Sequence, residues 1–222
     1  MRSIAELEKI LGVNFLRKEL IETALTHSSY ANENKCECNE RLEFLGDAVL
    51  ELCMSKYLYL TYNLNEGEMT KKRAQSVREE ALFIYASHID LQSFIRLGNG
   101  EEQSDGRGRQ AIVADAFEAV IGACFLEFGF DKVYEIFSKI VTPYHDEVLS
   151  IKDYKSTFQE LVQADRRSVK YEIVGRSGPS HNSTFEAIVL MDGIIMGRGK
   201  GRTKRDAEQE AAREALTKAA KN

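Results

Sequence analysis

Apolar residues recur at helical spacing over Ile4 to Leu11, Leu16 to Leu25, Leu42 to Leu60, Ser76 to Ile89, Ile112 to Phe128 and Lys132 to Ile140. That periodicity predicts an all-helical (all-α) domain over residues 1–148. Between Gly98 and Gln110 the segment GNGEEQSDGRGRQ is rich in Gly and charge, which predicts a mobile surface loop. It lacks the GKS or GKT ending of a nucleotide-binding loop. Pro143 stops helical continuation, and residues 149–152 form a polar link. The pattern then changes. A helix from Lys155 to about Ala164 is followed by strand-like runs at Val169 to Gly175, Thr184 to Leu190 and Ile194 to Gly199. Asp192-Gly193 signals a tight hairpin between the last two runs. A closing helix begins near Thr203, whose hydroxyl can cap it with Asp206 three residues on. Residues 153–222 thus read as a small α+β module in the order α-β-β-β-α.

Composition narrows the class. With 222 residues, 43% of them hydrophobic and 29% charged, the chain can build two modest cores. Glu6, Glu8 and Lys9 interrupt the first apolar run, so it does not read as a signal peptide, and no later run reaches membrane-spanning length. The expected location is the cytoplasm, with no membrane partner. The four cysteines, Cys36, Cys38, Cys53 and Cys124, read as reduced thiols, and Cys36/Cys38 without a second pair or nearby histidines is a weak zinc motif. Net charge is −5, which by itself argues against a nucleic-acid partner. The average hides an asymmetry: 14 Lys and Arg stand against 10 Asp and Glu from Ile151 onward, and 16 against 25 before it. Bound cations in the acidic part would reconcile it with RNA.

The acidic part carries the candidate chemistry. In NERLEFLGDAVLEL, Glu40, Glu43 and Asp47 are spaced by three and four, so a helix puts them on one face, while most other positions are apolar. One reading is a solvated acidic stripe. The other is a cation site, because like charges along a largely buried helix need a counterion. VADAFEAVIGACF favours the second: Asp115 and Glu118 lie three apart on another apolar helix, and Gly122 and Ala123 permit close approach. Glu43, Asp47, Asp115 and Glu118 together offer oxygen ligands suited to Mg²⁺ or Mn²⁺. A di-iron bundle would need Glu-x-x-His, and no histidine follows an acid at that spacing. Glu51 is one turn further on and reads as surface. A carboxylate-held cation suits phosphodiester hydrolysis and needs neither a side-chain nucleophile nor an organic cofactor. His27-Ser28 reads as a helix brace rather than a nucleophilic pair.

NERLEFLGDAVL, with LTHSSY before it and NEGEMTKKRA and ADAFEAVIGA after it, resembles the ribonuclease III family across nearly the whole first domain. The resemblance implies Glu43, Asp47, Asp115 and Glu118 as the catalytic metal ligands and Glu40 and Glu66 as auxiliary acids. It also implies a homodimer with Phe44 seated in the partner. The products would carry 5′-phosphates, 3′-hydroxyls and two-nucleotide 3′ overhangs, drawn from ribosomal RNA precursors and structured messenger RNA. Residues 153–222, through DYKSTFQELVQ, GPSHNSTFEAIV and GRTKRDAEQEAA, resemble a double-stranded-RNA-binding domain. Ser156, Gln159 and Glu160 would then reach one minor groove, His181 a second, and Lys204 and Arg205 the phosphates between them. Arg107 and Arg109 either add phosphate contacts or are simply solvated. Two function classes follow: a metal-dependent endonuclease, or a duplex-binding protein with a degenerate nuclease domain.

Overall fold

The computed structural model describes residues 2–150, 153–178 and 183–219. The chain divides into two compact units, Met1–Ser150 and Ile151–Asn222. The first is helical: α1 (Ile4–Leu11), α2 (Lys18–Ala24), α3 (Ser28–Asn34), α4 (Glu40–Thr61), α5 (Glu66–Ser76), α6 (Glu79–His88), α7 (Asn99–Gln103), α8 (Gln110–Ile140) and α9 (His145–Ser150). Its longest apolar runs become α4 and α8, which pack on each other, with α6 and α2 also against α8. Val49, Leu50, Cys53 and Met54 of α4 join Phe117, Val120, Ile121 and Cys124 of α8 in one buried core. The cysteines are free thiols, and burial pushes those of Cys53 and Cys124 up to about 12, which suits core residues rather than reactive ones.

Three departures from the spacing have local causes. α5 is polar at nearly every position and buries only Ser76, so it carries no apolar period; a capping box starts it, with Asn65 accepting from Glu68 N–H (3.0 Å) and Glu68 from Asn65 N–H (3.1 Å). The segment expected to be a mobile loop is folded into α7 and a 3-10 turn, Gly106–Gly108. Arg107 pairs with Glu102 and donates to the Gln92 carbonyl (2.6 Å), and Arg109 pairs with Glu101 (2.8 Å). Around Pro143 the chain makes a 3-10 turn, Thr142–Tyr144, and then resumes as α9, so helix continues to Ser150. The break expected between the runs ending at Phe128 and starting at Lys132 is present inside α8, where Gly129 takes φ 75°.

The second unit runs α10 (Tyr154–Ala164), β1 (Val169–Ser177), β2 (Thr184–Met191), β3 (Ile194–Gly201) and α11 (Lys204–Ala219). The strands form an antiparallel sheet in the order β1-β2-β3. The hairpin residues Asp192 and Gly193 both have positive φ, 50° and 83°, the turn that an Asp-Gly pair favours. α11 lies tightly on β3. A Cβ at Gly197 would come within 2.1 Å of the Ala211 carbonyl, and one at Gly199 within 2.2 Å of Ala207's, so the alternating glycines are what admit the helix. Thr203 and Asp206 form the expected capping box (3.1 and 3.2 Å).

Candidate functional site

The site in the first unit is made by a crossing of two helices. A Cβ on Gly46 would fall 1.8 Å from the Glu118 carbonyl oxygen, and one on Gly122 would fall 2.3 Å from the Leu42 carbonyl oxygen. Two glycines thus allow backbone to touch backbone, a role legible for Gly122 and overlooked for Gly46. The contact aligns the turn Glu43–Asp47 with the turn Asp115–Glu118. The acids consequently share one field. Burial pushes Glu118 up to about 8, helped by Asp47, Glu43 and Asp115. Glu43 is raised by burial and then by Asp115, Glu40 and Asp47. Asp115 is raised by burial and by Glu79, while His27 pulls it down.

Glu40, in the exposed first turn of α4, thus belongs to this field. Glu79, the first residue of α6, and His27, the N-cap of α3, were not anticipated there; their separation in sequence from both acidic helices hid them. His27 braces α3 as expected, accepting the Ser29 N–H on Nδ1 (3.2 Å). Glu66 is not among the acids acting on Glu43, Asp115 or Glu118. It heads α5, accepts from Thr70 (3.1 Å) and lines a groove of about 480 Å³ with Leu52, Lys56, Tyr59, Met69 and Arg73. Glu51 is engaged by Arg73 (2.8 Å), a surface role as expected. Phe44, one residue from Glu43, is 82% exposed.

Among the described residues no three His, Cys, Asp or Glu side chains converge into a coordination shell. The four acids are gathered rather than closed. Their chemistry still fits a hard divalent cation: the donors are all oxygen, Glu43, Asp115 and Glu118 are partly buried beside the exposed Asp47, and burial together with the neighbouring acids raises Glu118.

In the second unit, Ser156 and Gln159 of α10 and Lys204 and Arg205 of α11 line one groove of about 400 Å³ with Asp153, Lys155, Glu208 and Gln209. Asp153 caps α10 and accepts from Ser156 Oγ (2.9 Å), Lys155 pairs with Glu208 (2.5 Å), and Gln209 donates to Asp153 (3.0 Å). The two helices are thereby tied side by side. Glu160 is exposed on α10 outside this lining, and His181 lies outside the described residues. Lys155, which sequence reasoning passed over, contributes a cation held over the Tyr171 ring (4.7 Å).

Residues 17–144 match the family model described as ribonuclease-III-like, and residues 154–218 match that of the double-stranded RNA binding motif. Ribonuclease 3 of Listeria welshimeri is 47% identical over 97% of both chains. Ribonuclease 3 of onion yellows phytoplasma is 44% identical over 100% of this chain and 93% of its own. Among solved structures, a nuclease domain of ribonuclease III from Campylobacter jejuni superposes with TM-score 0.60 at 39% identity, covering 64% of this chain and 97% of that one. It is described as flexible in a region involved in dimer formation.

Proposed function

From the premise that the chain belongs to the ribonuclease III family, as an endoribonuclease of double-stranded RNA, we propose that it cuts with Mg²⁺ held by Glu43, Asp47, Asp115 and Glu118. One observation carries this reading: the glycine-mediated crossing that puts four carboxylates from two helices in one field, with Glu118 pushed up to about 8. A divalent cation bound there supplies a water of lowered pKa and neutralises charge on the phosphate oxygens. Mn²⁺ substitutes, being an oxygen-preferring ion of similar charge. The protein's own part is to hold four oxygen donors on two rigid helices and to deliver the duplex. Glu40 adds negative charge at the rim.

The duplex is gripped by Ser156, Gln159 and Glu160 along α10, by Lys204 and Arg205 at the start of α11, and by His181, which lies in the sequence between β1 and β2. Side-chain hydroxyl, amide and carboxylate groups suit the 2′-hydroxyls of a shallow minor groove, and the cations suit phosphates. Two chains act together as a homodimer, with Phe44 seated in the partner's groove beside Leu52, Tyr59 and Met69. Because Phe44 adjoins Glu43, the same docking carries Glu66 of the partner subunit toward the four acids, giving that groove-lining residue its auxiliary role. Paired sites cut both strands, leaving 5′-phosphates, 3′-hydroxyls and two-nucleotide 3′ overhangs. Its substrates are ribosomal RNA precursors and structured messenger RNA in the cytoplasm.

An end-labelled RNA duplex tests the reading. With Mg²⁺ it is cut to the stated ends, and with a chelator it is bound but intact. Glu118→Gln keeps duplex binding and loses cutting by at least about a hundredfold, since a cation's several kcal/mol convert at 1.36 kcal/mol per tenfold. Uncut duplex in Mg²⁺ would leave only a duplex-binding protein.

A further inference from the structure

The groove shared by α10 and α11 is lined by two kinds of residue. Ser156, Gln159, Lys204 and Arg205 are exposed, whereas Asp153, Lys155, Glu208 and Gln209 are half-buried and bonded among themselves. Gln209 is the centre of the second set. Its side-chain carbonyl accepts the Lys155 N–H (3.2 Å), its amide donates to Asp153 Oδ1 (3.0 Å), and the same Oδ1 accepts the Ser156 N–H (3.1 Å). Lys155 Nζ pairs with Glu208 (2.5 Å) and lies over the Tyr171 ring (4.7 Å), so its charge is engaged within the module.

These bonds act where apolar packing is thinnest. The fully buried anchors of α10 are Phe158 and Val162, both beyond its first turn, and the turn that carries Ser156 adds only the partly buried Tyr154. The start of α11 is fixed from its other side, because a Cβ at Gly201 would come within 2.5 Å of the Ala207 nitrogen. The start of α10 is therefore placed against the start of α11 chiefly by the polar bonds that meet at Gln209.

We propose that Gln209 is a positioning residue for duplex recognition: by tying Asp153 and Lys155 to α11 it fixes the spacing between Ser156 and Gln159 on one helix and Lys204 and Arg205 on the other, and so favours an A-form RNA duplex over B-form DNA. The inference rests on the duplex-gripping face proposed above. An A-form duplex sets a shallow minor groove beside a narrow major groove, whereas the B-form major groove is about 12 Å wide. Phosphates across the major groove thus stand at different distances from the minor groove in the two forms, and a rigid pair of helices fits one of them. Once the pair is loose, the RNA must order it on binding, and affinity falls.

The test measures binding by the full-length chain in chelator, so that nothing is cut, to an RNA duplex and a DNA duplex of one sequence, each of about 16 base pairs. Gln209→Met keeps side-chain length and helix propensity but makes neither bond. It raises the dissociation constant for RNA by about tenfold, the scale of losing one or two hydrogen bonds, and leaves that for DNA within about twofold, so the preference for RNA narrows. Asp153→Asn, which keeps an acceptor for Gln209 and for the cap, retains the wild-type preference. An unaltered preference in Gln209→Met overturns the proposal. So does a parallel loss of RNA and DNA binding with a lower melting temperature, which marks a brace of the fold, and so does an equal loss of preference in Asp153→Asn, which marks charge rather than the tie. Lys204→Ala tests the gripping face separately, lowering the salt slope of RNA binding by about one. An unchanged slope there would defeat the gripping face itself, while a lowered slope beside an unaltered Gln209→Met removes only the role of Gln209.

Discussion

Glu118 is held between two costs, burial and three neighbouring acids, and both act in one direction. Its folded-state value near 8 exceeds the ordinary 4.5, so the stability it lends is full below 4.5 and is lost as pH rises through about 8. The cation-free chain should therefore lose several degrees of melting temperature between about pH 5 and pH 8, at roughly 2–4 °C per kcal/mol for a chain of this size. Mg²⁺ should restore it, increasingly so toward pH 8, because the ligand must lose its proton to bind. Glu118→Gln should flatten both trends; a pH-independent Mg²⁺ shift in the wild type would refute the linkage. His145 sets the opposite limb. Buried against Ser76 (2.8 Å to Oγ) and edge-on to Tyr57, its value is lowered by burial and by Lys72. A lowered histidine gives stability that is present above about 6.5 and lost as pH falls through its folded value. Urea midpoints at pH 5 and pH 7 should differ less in His145→Gln than in the wild type.

At the scale of elements, the site depends on how closely α4 meets α8. Gly46→Ala puts a methyl 1.8 Å from a backbone oxygen, and helices cannot yield as a side chain does. A loss of about 3 kcal/mol or more is expected, at the upper end of overpacking costs, together with weakened Mg²⁺ binding. Gly129→Ala supplies the contrast: open space around its Cβ leaves only the backbone strain of φ 75° and ψ 177°, a conformation that favours glycine, about 1–3 kcal/mol, and Mg²⁺ affinity stays intact. Equal cation affinity in the two variants would separate the crossing from the site. This also explains what could be read beforehand. The runs of α4, α6 and α8 bury an apolar stripe, so their spacing announced them, and Asp192-Gly193 announced its hairpin. α5 buries almost nothing and is announced only by its capping pair, and α7 is short and held by ion pairs. The acids Glu43, Asp47, Asp115 and Glu118 were legible because each pair shares a helix face. Glu79 and His27 reach the same field from other elements, and no local spacing encodes that.

For the whole molecule, the surface of α4 bears on assembly. Phe44, Leu52 and Tyr59, 82%, 54% and 73% exposed, recur at intervals of eight and seven residues, about two turns each, and so share one face. Leu52 and Tyr59 wall the groove that Glu66 borders. A knob and a groove on one surface are self-complementary under two-fold symmetry. Burying one Phe side chain is worth about 1.5–3 kcal/mol, and the axis counts it twice, so if the proposed dimer forms on this face Phe44→Ala should raise its dissociation constant by roughly 10²–10⁴. Sedimentation velocity across a dilution series measures that shift. At concentrations where the variant is monomeric, duplex binding should persist through α10 and α11 while cutting falls, and raising protein concentration should restore cutting along the same curve that restores the dimer. A Phe44→Ala chain that dimerises as tightly as the wild type would move the interface off this face of α4, and with it the supply of Glu66 from the partner subunit.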